Sequence, residues 1–476
     1  MSDPTYALPT MPSAAPDEPR APDPVAVALG NASLLGVGYL MLRRRRLALA
    51  TVAGTAVLVL RLVTTASPSY EVAVLVWWAA VVVHGWFLAR GGGGGGRGTA
   101  RRQRLVALGV TLPVLLVVGL LRFDAFRIGR SVTEARESGD CARVATAQGR
   151  VWFGHRVADA PLTARGDEAV AACDRLRTAR AELSTALTGD TEALADGFGT
   201  LASVLAKGGN EKTVEATLNG FLGRLPAKDP CDTAAVTDWL RDRGRSHDVL
   251  DRAADTAALT APAALVGCGD DLLADDSWEE ARTYYERLLD RYPGSGLADR
   301  SRKGARKATL SIELANVSNL LSGETGTQPE YCADPAKYSG AKPMGKGTNP
   351  ALFYASDEDG TASGYPKQFP GSWKADDAAD AVLVVCMGED TFGDSVETCP
   401  YRSRSSGAVG YVSFHKIEIP VKVYELRTGR LVADRKIQIS GTSCPSTIYT
   451  AESTVSMYVD PSKSDVRSAF RPLVVR

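Results

Sequence analysis

Four apolar runs lie between Val25 and Leu121, and they limit what this chain can fold into more than any other feature. Val25–Leu42 has Asn31 and Ser33 as its strongly polar members. Leu47–Val63 has Thr51, Thr55 and Arg61, Val72–Ala89 has His84 among three tryptophans, and Leu105–Leu121 has Thr111 and Pro113. Each run is 17 or 18 residues long, near the lower end of the about 20 needed to cross a hydrocarbon core. A single run of this kind also fits a buried soluble helix. Four in the first quarter of the chain predict an α-helical membrane bundle of four spans, residues 25–121, in contact with membrane lipid.

The arginines predict the direction of insertion. Arg43–Arg46 fill the first break; Arg90, Arg97, Arg101, Arg102 and Arg104 crowd the third; Thr64–Glu71, the second, has no basic residue. Short loops rich in Lys and Arg stay cytoplasmic. The N-terminus, Thr64–Glu71 and everything after Leu121 are therefore expected outside a plasma membrane. Arg61 is discordant, near the outer end of its run, where its long stem lets it snorkel to the headgroups. His84 is an ionisable group at membrane depth and so raises a proton-relay reading. No run offers it an acidic partner, and it lies close to the basic loop, which favours an interfacial position. Run one follows prolines and acids, so it reads as a retained span and not as a cleaved signal peptide.

All eight cysteines follow the fourth run. An even set on the expected outer side predicts disulfides formed in an oxidising compartment. Cys141 and Cys231 each follow an Asp near a helix start, and each has its next cysteine one helical hairpin later, predicting Cys141–Cys173 and Cys231–Cys268. Proximity predicts Cys386–Cys399, which leaves Cys332–Cys444. The spacings lack the short Cys-x₂₋₄-Cys pairs of zinc sites, so no metal is expected.

Met1–Pro24 is a proline-rich tail with little to bury, expected to be disordered. Gly91–Gly96 lacks the Lys-Ser/Thr and the preceding strand of a phosphate loop and reads as a linker. Residues 122–321 turn helical, most clearly over Ala264–Pro293. There Trp278, Ala281, Tyr284, Tyr285, Leu288 and Leu289 form one stripe, Leu265, Cys268, Leu272 and Leu273 form an earlier one, and Asp275–Asp276 makes the turn. This stretch resembles the tetratricopeptide repeat. Counted back from Pro293 as the closing proline, Tyr285, Ala281 and Gly269 fall on the family's aromatic, small and glycine positions, while Leu272 and Leu265 replace aromatic residues at two others. Leu201–Pro226 has a similar ending. The resemblance implies an α-helical solenoid, TPR-like, for the extracellular region. The Ala- and Arg-rich composition resembles that of actinobacterial proteins.

Residues 322–328 form the best linker, and 329–476 read as a small disulfide-stapled β-rich (α+β) domain. Ala381–Met387 is a buried strand. Lys416–Leu426 alternates, with Ile417, Ile419, Val421 and Val423 on one face; Arg427–Arg430 turns, Leu431–Ser440 returns, and Ser453–Val459 adds another strand. Asp334–Lys374 is expected to be long loops.

Catalytic patterns are weak. Ser339-Gly-Ala-Lys342 and Arg427-Thr-Gly429 loosely match the Ser-x-x-Lys and Lys-Thr-Gly of penicillin-interacting enzymes, but glycine and Pro343 surround the first where a helix must start. Four scattered histidines leave no His-based triad. Asp357–Gly360 lacks the acids of a calcium loop. With a net charge of zero, nothing global points to nucleic acid. No cofactor is expected.

These observations predict a multi-pass, membrane-anchored extracellular binding or scaffold protein that recruits an envelope protein or peptide. Trp278, Tyr284 and Tyr285 are aromatic candidates for its groove, positions that equally serve a core. Asp275 and Asp276, within an acidic cluster, would favour a basic partner. A membrane component of a transport or export system, or an envelope enzyme, is the alternative.

Overall fold

The computed structural model describes residues 22–91, 97–323, 328–356, 362–450 and 455–476. Most of the N-terminal tail, glycines 92–96, the middle of the 322–328 linker and the acidic turn at Asp357–Gly360 lie outside the described residues. The described chain is mostly helical, with a C-terminal mixed sheet, and divides into two compact units, Met1–Thr260 and Ala261–Arg476.

The first unit begins with α1 (Pro24–Asn31), α2 (Val37–Met41), α3 (Arg45–Thr65), α4 (Pro68–Arg90) and α5 (Arg97–Glu137). It continues through α6 (Cys141–Gln148), α7 (Phe153–Ala158), α8 (Ala160–Ala186), α9 (Thr191–Leu205), α10 (Glu211–Leu222), α11 (Pro230–Asp242) and the start of α12 (Arg252–Ala274). Four helical stretches are long and apolar enough to cross a membrane: Arg45–Thr65, Pro68–Arg90, Ala100–Glu137 and Val249–Ala274. The first three coincide with runs two, three and four. The last is less apolar, at a mean hydropathy of 1.3, and 39% buried. Its Leu250, Ala253 and Ala257 pack in a protein core with Leu183, Phe198 and Leu218 of α8, α9 and α10, so this stretch spends apolar surface on the fold itself.

Run one is not a continuous span, contrary to the sequence expectation. It breaks after Asn31, with Leu34 at φ 61° and Gly36 at φ 69°, leaving helices of eight and five residues. Eight residues rise only about 12 Å, well short of a core about 30 Å thick. The two pieces fold back on each other, and a Cβ on Gly38 would collide with the Val27 carbonyl. A broken helix at this depth must satisfy its freed backbone groups from the protein. Thr111 Oγ1 donates to the Leu29 carbonyl at 2.6 Å, Ser33 Oγ to Gly30 at 2.7 Å, and Trp78 Nε1 to Ala32 at 3.0 Å. Fully buried Asn31 accepts from the Tyr39 N–H at 3.2 Å and donates to the Val81 carbonyl at 3.3 Å. The Tyr39 hydroxyl lies 2.8 Å from His84 Nδ1. At the entrance of α1, the Asp23 carboxylate meets Arg104 at 2.6 Å, and its N–H donates to Gln103.

Beyond the apolar runs, aspartates start the helices. Asp140 caps α6 and Asp229 caps α11, each accepting backbone N–H groups from the first turn. Cys141 is the first residue of α6 and Cys231 the second of α11. Cys141 bonds Cys173 on α8 across 32 residues, as expected, and Cys231 and Cys268 are also disulfide-bonded.

The second unit continues with α13 (Trp278–Arg291) and α14 (Ala298–Leu321), then a six-stranded sheet and α15 (Lys463–Val474). Its strands are β1 (Ala351–Ala355), β2 (Leu383–Met387), β3 (Thr391–Arg402), β4 (Val409–Glu425), β5 (Arg430–Ile439) and β6 (Val455–Tyr458). The 17-residue β4 organises the sheet. Along one edge it pairs with β2 over Val421–Glu425 and with β3 over Val409–Glu418. The opposite edge takes β5, antiparallel, and β6, parallel.

The strand alternation read from the sequence is present. Ile417, Ile419, Val421 and Val423 face a core closed by Val466 and Phe470 of α15 and by Tyr365, Phe369 and Trp373. The other face holds Val384, Cys386 and Tyr424 with Val317 and Leu321 of α14. Two helical layers therefore bury β2 on both sides, which explains its uninterrupted apolar sequence. Asp334–Lys374 is not merely loop, because β1 and short 3₁₀ turns lie within it.

Two predicted disulfides are corrected: the bonds are Cys332–Cys386 and Cys399–Cys444, not Cys386–Cys399 and Cys332–Cys444. Cys386 stands opposite Lys422 and Cys399 opposite Val412. Ten residues of strand separate those positions, roughly 30 Å, whereas a disulfide needs Cα atoms about 5.5 Å apart. β2 and β3 follow one another along the same edge, so nearness in sequence becomes distance in space.

Candidate functional site

The aromatic stripe of α13 separates into core and surface. Tyr285 is fully buried, with its ring lying where Cβ atoms on Gly269 and Gly304 would collide with it. Its hydroxyl donates to Asp270 Oδ1 at 2.5 Å, and Arg300 holds the other oxygen of Asp270 at 2.5 Å. Burial, then the neighbouring Asp270, push the Tyr285 phenol well above its ordinary range, which keeps it neutral. Tyr284 is half-buried, with the Arg287 guanidinium 4.8 Å from its ring centre, and Trp278 is half-buried at the first position of α13. Asp275 and Asp276 are exposed in the turn between α12 and α13, with Asp276 at φ 58°. Of the five expected site residues, Tyr285 therefore packs as core, while Trp278, Tyr284, Asp275 and Asp276 keep part or all of their side chains at the surface.

A recess of about 160 Å³ lies between α8 and α10. Leu183 and Phe221 form its apolar floor, and Arg180, Ser184, Thr217 and Arg224 stand around it. Arg180 donates to the Thr217 hydroxyl at 3.4 Å, and both terminal nitrogens of Arg224 donate to the Ser184 hydroxyl at 3.2 Å. Among the described residues neither guanidinium meets a carboxylate. Two forked cations above an apolar floor suit carboxylates carried on an otherwise apolar ligand. The sequence carried a faint signal: Arg180 and Ser184 share a helix face, at a spacing ordinary in any Arg-rich helix, and Arg224 follows just after the end of α10.

The serine and lysine motifs gain nothing from the fold. Ser339 sits in a turn, its hydroxyl and N–H both donating to Glu313, at 3.1 and 2.8 Å. Arg427 Nη1 donates to the Ala341 carbonyl at 3.0 Å, which brings the two segments together, but Lys342 is exposed and outside any helix. Glu397 lies close to Cys399 and Cys444, whose sulfurs are bonded to each other and so offer no thiolate to a metal.

No protein family, no curated protein and no solved structure matches this chain.

Proposed function

We propose that the chain is a membrane-anchored binding protein whose helical region, on the outer side of a plasma membrane, holds an acidic peptide segment of an envelope protein. The observation that carries this reading is the recess between α8 and α10, with Arg180 and Arg224 lacking carboxylate partners. The basic partner suggested by Asp275 and Asp276, which are exposed in their turn, is the other composition that the test below compares. The helical-repeat reading of Ala264–Pro293 belongs to the same proposal, supported by the Gly269 contact with Tyr285. So does a topology of three spans, α3, α4 and α5. Run one would then be re-entrant, with the N-terminus on the side of the basic loops, supported by the Asp23–Arg104 pair.

The test uses the full chain in lipid nanodiscs and labelled peptides of acidic, neutral and basic composition. Acidic peptides should bind, more weakly as salt rises, and Arg180→Glu with Arg224→Glu should reduce that binding at least about tenfold, the loss of two charge-assisted contacts. Equal binding by wild type and the charge-reversed variant, or a preference for basic peptides, would reject the reading.

The polar node of buried Asn31 and Tyr39 with exposed His84 favours a second reading, a component of a transport system, because polar groups inside a membrane commonly mark pathways. Proteoliposomes with an internal pH dye test it. A proton flux in wild type that disappears in His84→Ala and Tyr39→Phe would support it, and identical traces would leave the node a structural device.

A further inference from the structure

We propose that α7 and the adjoining turn of α5 form a second, interfacial membrane-binding surface, with Trp152 and Phe153 inserted among the lipid headgroups on the outer side. The inference rests on the reading that α3, α4 and α5 cross a membrane. Four large apolar side chains just past the apolar part of α5 and at the start of α7 are mostly exposed: Phe123 61%, Phe126 54%, Trp152 58% and Phe153 65%. Single exposed apolar residues are ordinary, but here their height relative to the span can be deduced.

The last residue of the apolar run is Leu121. Asp124 Oδ2 lies 3.1 Å from Nε2 of His155 in α7, and three helical residues from Leu121 amount to about 4.5 Å. His155 is itself 3% exposed, and its Nδ1 accepts the Trp152 N–H at 3.3 Å. The tip is thus tied at headgroup depth through a buried histidine. A separate contact agrees: α7 also packs against α3, whose C-terminal end lies on this side. Arg122 pairs with Glu71 near the start of α4, so the outer ends of α3, α4 and α5 gather at the same level.

Trp and other aromatic residues concentrate at membrane interfaces, where an apolar ring meets a polar layer. Arg127, on this part of α5, is exposed and suits a lipid phosphate, while exposed Arg130 pairs with Glu134 at 3.4 Å. The occupant of this surface is the interfacial layer of the bilayer that holds α5, because the surface continues the lipid-facing side of that helix. Its consequence is mechanical. A helix emerging alone could swivel about its axis, whereas a second anchor fixes which way the α8–α10 recess faces.

The experiment uses the full chain, in which all eight cysteines are disulfide-bonded, so one added cysteine takes an environment-sensitive NBD dye specifically. Phe153→Cys is compared with Leu115→Cys, inside run four, and Lys207→Cys. The neighbour of Lys207, Gly208, accepts from Arg136, about 22 Å along α5 from Leu121. Vesicles are of phosphatidylcholine and phosphatidylglycerol, with and without brominated acyl chains. The dye at 153 should emit at shorter wavelength than the dye at 207 and lose about half its emission in brominated lipid, as for groups about 5–10 Å into the boundary. Quenching at 115 without quenching at 153 overturns the proposal and leaves the membrane reading intact. A blue-shifted but unquenched dye at 153 means that protein covers the site, which also overturns it. No quenching at 115 removes the membrane reading and the proposal together.

Discussion

Tyr285 sits against two glycines, and its environment makes a sharp residue-scale prediction. Replacing Gly with Ala inside a helix ordinarily gains about 1 kcal/mol of propensity. At Gly304 the new Cβ would meet the Tyr285 ring, and overpacking costs about 1–3 kcal/mol. The ring cannot retreat, because Asp270 holds its hydroxyl at 2.5 Å. Gly304→Ala should therefore lower stability in denaturant melts of the purified protein, and should raise it once Tyr285→Leu has removed the ring, giving a coupling of opposite signs. Glu425 makes a pH prediction. The Thr428 hydroxyl at 2.8 Å, and then the Met344 N–H at 3.1 Å, hold its carboxyl below the ordinary value of 4.5. A depressed folded-state value means that the stabilisation is complete above the unfolded value and is lost as pH falls through the folded one. Glu425→Gln should thus be less stable than wild type by about 1 kcal/mol at pH 7. The gap should close below pH 4.5, and melts across pH would show whether it does.

At the scale of elements, β4 explains the cysteine pairing and sets its consequence. Cys332–Cys386 ties the chain after α14 to β2, while Cys399–Cys444 ties β3 to the segment after β5. The second bond lies in a small core with Val412, Phe414 and Val459. Its removal by Cys399→Ser with Cys444→Ser should cost about 2–4 kcal/mol, the usual effect of a cross-link across several tens of residues. Hydrogen exchange should show the loss in β3 and β6 and spare β2, and non-reducing peptide maps should return these two bonds. Finding Cys386 linked to Cys399 would refute the register of β4 as well as the pairing.

For the molecule as a whole, the course of run one decides the side of the N-terminus. A re-entrant α1–α2 returns the chain to the face it left, with Asp23 beside Arg104. In intact cells, Ser69→Cys should react with an impermeant thiol reagent, whereas Pro22→Cys and Arg102→Cys should react only after permeabilisation. Labelling of Pro22→Cys in intact cells would mean that run one crosses after all.

Much of this was legible in local sequence, because it depends on period and on the chemistry of short segments. Apolar length marked α3, α4 and α5; aspartates marked the starts of α6 and α11; alternation with a four-residue turn marked β4 and β5. The cue for α15 was present and overlooked: Ser462 and Asp465 form a capping box, and Val466, Phe470, Leu473 and Val474 follow at helical spacing. Other features depend on partners remote in the chain. Run one has the hydropathy of a span, but Trp78 and Thr111, some 46 and 82 residues away, supply the hydrogen bonds that let it break. Cys386 and Cys399 are close in sequence and far apart along β4, a distance set by pairing register and not by spacing. The α8–α10 recess joins Arg180 and Thr217 across 37 residues. Hydropathy and capping act within a few turns of chain, so sequence alone determined those elements whose cues are local, α3, α4, α5, α6, α11, β4 and β5. Which polar groups meet, which cysteines bond and where a cation lacks a carboxylate are questions of separation in space, and only the tertiary structure decided them.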